Sequence, residues 1–320
     1  MMNTPILFLI FNRPDETGAV FDALKIIKPK FLYVACDGPR EHIKSDLENV
    51  AKTREILDQI DWDCELKTLY RDVNLGCKIA VSEGINWFFQ NVEEGIILED
   101  DCLPDATFFD YCSELLEIYR DDKRVMHISG LNFLSGPLDL QPNTDSYNFS
   151  KYAAVWGWAT WRTAWMLYDA DILSWPKAKE RNLHYNFCFN KSEMAVWESK
   201  FDSVYKNQID TWDYQWSYCI FLNNGLCVTP NTNLISNIGF NDNATHTFSS
   251  DNRSHLPIGS VAFPLIHPLH VVPDYNRDWN EFVAHINVPL YKRVSKKVLN
   301  YLGGYELATS LYHKFLNYKR

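Results

Sequence analysis

Three consecutive acids, Glu99, Asp100 and Asp101, directly follow the apolar run from Ile96 to Leu98. Adjacent carboxylates repel one another, so a sequence that places them at the tip of a buried strand needs a compensating cation. A divalent Mg²⁺ or Mn²⁺ ion with oxygen ligands is the simplest choice, and such ions usually bind substrate phosphates as well. A helix N-cap is the competing interpretation, since Asp101 or Asp105 precedes a predicted helix. The acidic triplet alone does not decide between the two.

A second pair of acids, Asp210 and Asp213, lies among tryptophans in the segment that ends at Trp216. At a spacing of three residues both side chains point the same way on a helix. Burial among indoles raises the pKa of a carboxyl towards the range of a general base. Asp213 is therefore a candidate base that takes a proton from a sugar hydroxyl. In the alternative, Asp210 is the N-cap of a helix whose tryptophans pack in the core.

Other polar residues follow predicted strands or lie in polar loops. Arg13 either neutralises a phosphate or pairs with Asp15, and Asp37 either accepts hydrogen bonds from a uracil or ribose or caps its own Gly-Pro turn. Lys78 opens a helix whose backbone N–H groups are suited to a pyrophosphate. His246 either reaches a metal or diphosphate or, like most loop histidines, does neither.

The elements that position these residues alternate between short apolar runs and amphipathic segments. This pattern predicts an α/β fold with a mostly parallel sheet covered by helices on both faces. The predicted strands are 6–11, 31–36, 65–70, 95–98 and 125–129, and the predicted helices are 14–27, 45–59, 78–90 and 108–119. Because ligands bind beyond the carboxyl ends of parallel strands, we expect Arg13, Asp37 and the acidic triplet at one edge of the sheet.

The rest of the chain predicts a second lobe and a basic end. Residues 1–130 form the predicted α/β lobe, residues 131–290 an aromatic-rich lobe of the same domain, and residues 291–320 a basic helical segment with seven Lys or Arg and one acid. That segment either lies on an anionic membrane surface or is a solvated closing helix.

Composition limits the class of protein. The 320 residues are 46% hydrophobic, which is enough for a large core, and the net charge of -10 argues against a nucleic-acid partner. No apolar run reaches the length of a membrane span, and no cleavage signature follows the first strand, so we expect a cytoplasmic protein. The eight cysteines show no CxxC pair and are expected to be reduced.

In combination, these motifs resemble the GT-A sugar-nucleotide transferases, and the nearest pattern is that of the N-acetylglucosaminyltransferase I family. The resemblance covers roughly residues 4–250 in the same order. The residues that carry it are Arg13, Asp37, Leu98 to Asp101, Pro104, Phe108 to Tyr111, Trp156 to Trp158, Trp212 to Trp216 and the loop from Ser236 to His246.

The resemblance implies roles for these positions. Asp101 matches the acid that holds Mn²⁺ on the donor diphosphate, and Glu99 and Asp100 face the sugar and the ribose. Arg13 and Asp37 match nucleotide-contacting positions. The base of the family matches Asp213, although the segment between its flanking tryptophans is one residue longer here.

The function implied is that of an inverting, Mn²⁺- or Mg²⁺-dependent glycosyltransferase. It would move a sugar from a nucleotide-diphosphate donor, a UDP-sugar in the first instance, to a glycan or lipid-linked saccharide in polysaccharide biosynthesis. The family relatives have a membrane anchor, whereas this sequence starts at the first strand, which favours a bacterial-type enzyme in the cytoplasm or at the inner membrane face.

Two other classes remain open from the sequence. A nucleotidyltransferase of sugar-nucleotide synthesis also uses an acidic metal site on an α/β sheet, but usually has a Gly-rich phosphate loop after the first strand, and Asn12 to Asp15 is not one. A non-catalytic carbohydrate-binding protein would explain the tryptophans.

Overall fold

The computed structural model describes residues 2–135, 145–239 and 256–287, and their centre is an eight-stranded mixed sheet. The strands of the described part are β1 Ile6–Ile10, β2 Phe31–Cys36, β3 Glu65–Tyr70, β4 Glu94–Glu99, β5 Cys102–Pro104, β6 Val125–Ser129, β7 Tyr147–Ser150, β8 Trp158–Trp161, β9 Leu226–Pro230 and β10 Ile235–Asn237. Strands β5 and β10 form a separate antiparallel pair.

Helices cover both faces of this sheet. In the described part they are α1 Pro14–Ile27, α2 Lys44–Glu55, α3 Cys77–Asn91, α4 Thr107–Tyr119, α5 Arg162–Trp165, α6 Trp175–Glu180, α7 Lys191–Tyr205, α8 Asp213–Leu222 and α9 Tyr275–Glu281. Two short 3₁₀ helices (Ile56–Gln59 and Leu183–Asn186) and a π-helical turn (Phe282–Ile286) complete the set.

The sheet order is β3-β2-β1-β4-β8-β6-β9-β7, and its first four strands are parallel. Strand β8 is antiparallel to both of its neighbours and joins the parallel part to β6 and β9. Strand β1 is buried at all five positions, as expected for a strand covered by helices on both faces. The prediction of a Rossmann-like, mostly parallel α/β fold is confirmed.

The predicted elements of the first 130 residues agree with the structure to within one residue at each end, apart from the second helix. That helix ends at Glu55 and continues as the 3₁₀ turn over Ile56–Gln59. Helix α1 begins with Pro14, whose missing N–H costs nothing at that position. It ends at Ile27, and the next residue, Lys28, caps it in a left-handed conformation.

The second part of the chain contributes its aromatic residues to the core. Trp158 on β8 is fully buried and stacks against Trp212, with ring centroids 5.6 Å apart. It belongs to one apolar cluster with Leu7 of β1, Ile97 of β4 and Trp216 of α8. Residues from both sides of position 130 therefore share one core and one sheet.

All eight cysteines are free thiols. Within residues 2–135, 145–239 and 256–287, no helix combines the length and the apolar character needed to cross a bilayer. The basic segment 291–320, with its predicted membrane contact, and the predicted ligand His246 lie outside the described residues.

Candidate functional site

A pocket opens at the carboxyl ends of β1, β2 and β4, where the sequence predicts a site. Its cavity volume is about 250 Å³. The apolar part of its wall consists of Leu9, Ile10, Phe11, Ala35, Ala80 and Val81, and the polar part consists of Arg13, Asp37, Arg40, Arg71, Asn74, Gly76, Cys77, Glu99, Asp100 and Asp210. Four of the predicted site residues (Arg13, Asp37, Glu99 and Asp100) thus meet in one place.

Arg13 joins two members of the acidic triplet. Its Nη2 atom lies 3.0 Å from Oδ1 of Asp100, and its Nη1 atom lies 2.9 Å from Oδ2 of Asp101. Asp100 is only 4% exposed, and its second oxygen has no hydrogen-bond partner. Burial raises the pKa of both Glu99 and Asp100, and the neighbouring acids raise the pKa of Glu99 further.

This ion pairing bears on the argument for a metal, and Asp101 as a metal ligand stays a prediction. The triplet does need a compensating cation, but in the structure a guanidinium supplies it. No three His, Cys, Asp or Glu side chains within the described ranges form a cluster that could hold a metal ion. Arg13 itself pairs with Asp100 and Asp101, the two acids that follow β4, rather than with Asp15, its predicted alternative partner.

The acid that caps the helix after the triplet is Asp105, which is not a member of the triplet. Asp105 accepts hydrogen bonds from the backbone N–H and the hydroxyl of Thr107, at the first turn of α4. Asp101 instead faces Arg13 and the thiol of Cys102. Asp101 therefore pairs with Arg13 beside the pocket wall and does not cap the helix.

Asp37 organises the loop between β3 and α3. Its carboxylate accepts hydrogen bonds from the N–H groups of Gly38, Leu75 and Gly76 and from the amide of Asn74, at 2.9 to 3.2 Å. Burial raises the pKa of Asp37, whereas these N–H donors lower it. The loop therefore occupies the oxygens of Asp37, which lines the pocket. Asp37 caps its own turn at Gly38, as the sequence allows, and also binds the more distant loop before α3.

The start of α3 is held by Asp210, which comes from the connection between α7 and α8. The carboxylate of Asp210 accepts the N–H groups of Cys77 at 2.9 Å and Lys78 at 2.8 Å. Gly76 makes this approach possible, because it has a φ of +80° and a Cβ atom there would lie 2.7 Å from Oδ2 of Asp210. Asp210 caps α3 and is not the N-cap of its own helix, which Trp212 occupies without a side-chain bond.

The same contacts compete with the predicted pyrophosphate site at this helix terminus, which stays a prediction. The N–H groups of residues 75 to 78 all donate to carboxylates of Asp37 or Asp210. Lys78 directs its amino group to Asp171 at 2.6 Å and to Asn207, and it is not part of the pocket wall. An anion at this terminus would have to displace two carboxylates.

Asp213, the predicted base, lies in the first turn of α8 and accepts a hydrogen bond from the hydroxyl of Thr211. It does not line the pocket, although its charge is among those that raise the pKa of Glu99. Its role stays a prediction.

Two arginines of the wall, Arg40 and Arg71, follow strand ends in the sequence but are not among the predicted site residues. Arg40 binds Asp46 through two nitrogens, at 2.6 and 2.9 Å, and Arg71 makes a single 3.2 Å contact with Glu83. Each follows the end of a parallel strand by one to four residues, and that position is the signal in the sequence that identifies them.

No family model matches this sequence, and no curated protein matches it. The chain is similar in structure to a cytidylyltransferase from Leptospira borgpetersenii, with 14% identity and a TM-score of 0.33 over 58% of this chain and 71% of the other. It is also similar to a 4-diphosphocytidyl-2C-methyl-D-erythritol synthase from Anaerococcus prevotii, with 9% identity and a TM-score of 0.30 over 69% and 97% of the two chains.

These comparisons correct the glycosyltransferase prediction. The two similar structures are a cytidylyltransferase and a diphosphocytidyl-methylerythritol synthase, which agrees better with the nucleotidyltransferase alternative than with glycosyl transfer. The resemblance to the N-acetylglucosaminyltransferase I family finds no support in them. At these TM-scores no residue role passes from either structure to this chain.

Proposed function

We propose that this chain is a nucleotidyltransferase that binds a nucleoside triphosphate in the pocket at the ends of β1, β2 and β4. The observation that carries the proposal is the pocket wall itself, in which an apolar face stands beside three arginines, Arg13, Arg40 and Arg71.

The apolar face suits the nucleoside part of such a substrate. Phe11 contributes an aromatic ring to it, and the guanidinium of Arg40 lies 5.4 Å from the centre of that ring. The cavity of about 250 Å³ is slightly smaller than the usual small-molecule sites, which begin at about 300 Å³. It therefore fits one nucleoside with its phosphates directed towards the open rim.

The arginines suit the phosphates. A guanidinium presents a planar fork of N–H donors that matches phosphate oxygens and keeps its charge at every physiological pH. Arg71 has the loosest ion pair of the three, because its contact with Glu83 is the longest, at 3.2 Å, and that carboxylate is half exposed to solvent, although the Arg71 side chain itself is 12% exposed. We assign to Arg71 the main contact with the triphosphate.

In the reaction proposed, a phosphate oxygen of a sugar phosphate attacks the α-phosphorus of the nucleoside triphosphate. A new P–O bond forms there, the bond from the α-phosphorus to the bridging oxygen of the β-phosphate breaks, and pyrophosphate leaves with the bonding electrons. The divalent cation that accompanies a nucleoside triphosphate in solution enters as part of that substrate. The protein's share is to orient the α-phosphorus and to stabilise negative charge on the leaving pyrophosphate.

The test is pyrophosphate release. The purified chain is incubated with CTP, UTP, GTP or ATP and a panel of sugar phosphates, and pyrophosphate and nucleotide-sugar are both quantified. We expect stoichiometric formation of the two products with one nucleotide. Arg71→Gln should raise the KM for that nucleotide at least tenfold, because a charge-assisted contact to phosphate contributes about 1.5–3 kcal/mol.

Arg124→Gln is the matched control, since Arg124 is exposed on the far side of the sheet and pairs only with Asp122 among the contacts seen. It should leave KM unchanged. Absence of pyrophosphate release with all four nucleotides, together with absence of nucleotide binding by calorimetry, would contradict the proposal.

A further inference from the structure

The chain that follows β10 packs on the ion pair between Arg13 and the two acids after β4, Asp100 and Asp101. Ile238 donates its N–H to the carbonyl of Asp101 at 2.8 Å. A Cβ atom on Gly239 would lie 2.3 Å from Oδ2 of Asp101 and 2.6 Å from Nη1 of Arg13. The backbone at Gly239 therefore packs directly on the guanidinium and its carboxylate, and only a glycine fits there.

The same contacts occupy three of the four carboxylate oxygens of Asp100 and Asp101, whereas the second oxygen of Asp100 is buried without a hydrogen-bond partner. One oxygen of Asp100 and one of Asp101 are held by separate nitrogens of Arg13, and the remaining oxygen of Asp101 faces the thiol of Cys102. A Mg²⁺ or Mn²⁺ ion that bridged both acids would compete with the guanidinium for them, because only one of the four oxygens is without a contact. Arg13, whose side chain is 18% exposed, would then lose both of its carboxylate partners in a largely buried place, which is costly.

The residues present therefore do not fit the resident Mn²⁺ or Mg²⁺ ion that the acidic triplet suggests. We propose that Arg13 is the resident cation of this site and that the protein without nucleotide binds no divalent metal at Asp100 and Asp101. Arg13 then supplies from within the chain the positive charge that the two carboxylates require. A role of Arg13 in catalysis rests on the proposed function. The proposal that Arg13 replaces a metal ion does not, because it is tested with Mn²⁺ alone.

The first experiment uses the full chain after treatment with chelator and removal of the chelator. Mn²⁺ is added without nucleotide, bound Mn²⁺ is measured by electron paramagnetic resonance, and the melting temperature is followed in parallel. We expect the wild type and Asp101→Asn to bind equally little Mn²⁺ and the wild-type melting temperature to stay unchanged. One equivalent of Mn²⁺ bound by the wild type and lost in Asp101→Asn would overturn the proposal.

The second experiment removes the internal cation. Arg13→Gln leaves two adjacent carboxylates without a partner, so we expect a lower melting temperature that Mn²⁺ raises back towards the wild-type value, with about one Mn²⁺ bound per chain. Arg13→Lys keeps a positive charge and should remain insensitive to Mn²⁺. A Mn²⁺ response in Arg13→Lys as large as that in Arg13→Gln would contradict the role of charge.

Arg40→Gln is the matched control, because Arg40 also pairs with a buried acid at this pocket but frees only Asp46. One carboxylate is a poor site for Mn²⁺, so this variant should lose stability without gaining a response to the ion. If Arg13→Gln does not fold, the comparison of the wild type with Asp101→Asn still decides the question. A failure of nucleotidyl transfer affects neither experiment, since no nucleotide is present.

Discussion

At the scale of single residues, Asp37 and Asp210 show how carboxylates can shape a pocket without contacting a ligand. Each accepts N–H groups of the loop that leads into α3. The sequence allowed a turn-capping role for Asp37 through its neighbour Gly38, but the other donors lie up to 39 positions away. Donors at such a distance in sequence follow from the pairing of β2 with β3, which no local pattern specifies.

His127 is a second residue whose state is set by its surroundings. It is fully buried on β6, its ring stacks on Trp158 at 5.0 Å, Nε2 donates to the carbonyl of Ala154 at 3.0 Å, and Nδ1 accepts the indole N–H of Trp216 at 3.2 Å. This pair of bonds requires the neutral ring with its proton on Nε2. Burial lowers the pKa of His127 to about 3.

The neutral state of His127 predicts a loss of stability in acid. Its folded pKa lies below its unfolded value, so below about pH 6.5 the unfolded chain takes up a proton that the folded chain refuses. The contribution is fully present above that pH and is lost as the pH falls towards 3, at up to about 1.4 kcal/mol per pH unit. His127→Gln keeps a donor and an acceptor but does not titrate. Urea unfolding at several pH values should give a shallower decline for His127→Gln than for the wild type, and parallel curves would contradict the prediction.

At the scale of elements, the first turn of helix α3 is capped by Asp210, a residue far away in the sequence. The N–H groups of Cys77 and Lys78 meet Asp210, which lies 133 and 132 positions further along. The side chain of Lys78 forms an ion pair with Asp171, which, like Asp210, lies beyond position 130. Both contacts join the parallel part of the sheet to the aromatic part at the edge of the pocket.

Removal of this cap should loosen the start of α3. Asp210→Ala leaves two backbone N–H groups without an acceptor, and the loss of a helix cap costs about 0.5–2 kcal/mol. We expect a matching fall in the free energy of unfolding and faster hydrogen exchange at Cys77 and Lys78. The control is Asp171→Ala, which removes a contact to a carboxylate that is 61% exposed and should cost less than 1 kcal/mol. Equal effects of the two variants on exchange would argue against the capping role.

The elements of the first 130 residues were predictable because their apolar runs and caps are local signals. The bounds of α1 and β3 follow from the residues themselves. The partners of Arg13 and of the α3 terminus were not predictable. Both are carboxylates from distant parts of the chain, and they take the places that the sequence predicts for bound phosphates. The acidic triplet correctly indicated a need for positive charge, but the identity of the cation depends on the closeness of β1 and β4 in the sheet.

At the scale of the whole molecule, β8 joins the two predicted lobes into one sheet. It pairs with β4 on one side and with β6 on the other, and Ile97 of β4 stands opposite Trp158 of β8. Both side chains are fully buried in the same apolar cluster. The lobes 1–130 and 131–290 remain a prediction, but a shared core of this kind implies that they unfold together.

A mild substitution in that core tests whether they do. Ile97→Val removes one buried methylene and should cost about 0.5–1.5 kcal/mol. Nine of the eleven tryptophans lie beyond position 130, so their fluorescence reports chiefly on the second lobe, whereas far-ultraviolet circular dichroism reports on both. In urea we expect a single transition by either signal, shifted by the same amount in Ile97→Val. The control Ile118→Val alters a side chain that is 46% exposed and should leave both midpoints in place. A fluorescence midpoint unchanged in Ile97→Val would instead mean that the aromatic lobe is stable without the parallel one, because the lost packing would then be confined to the first lobe.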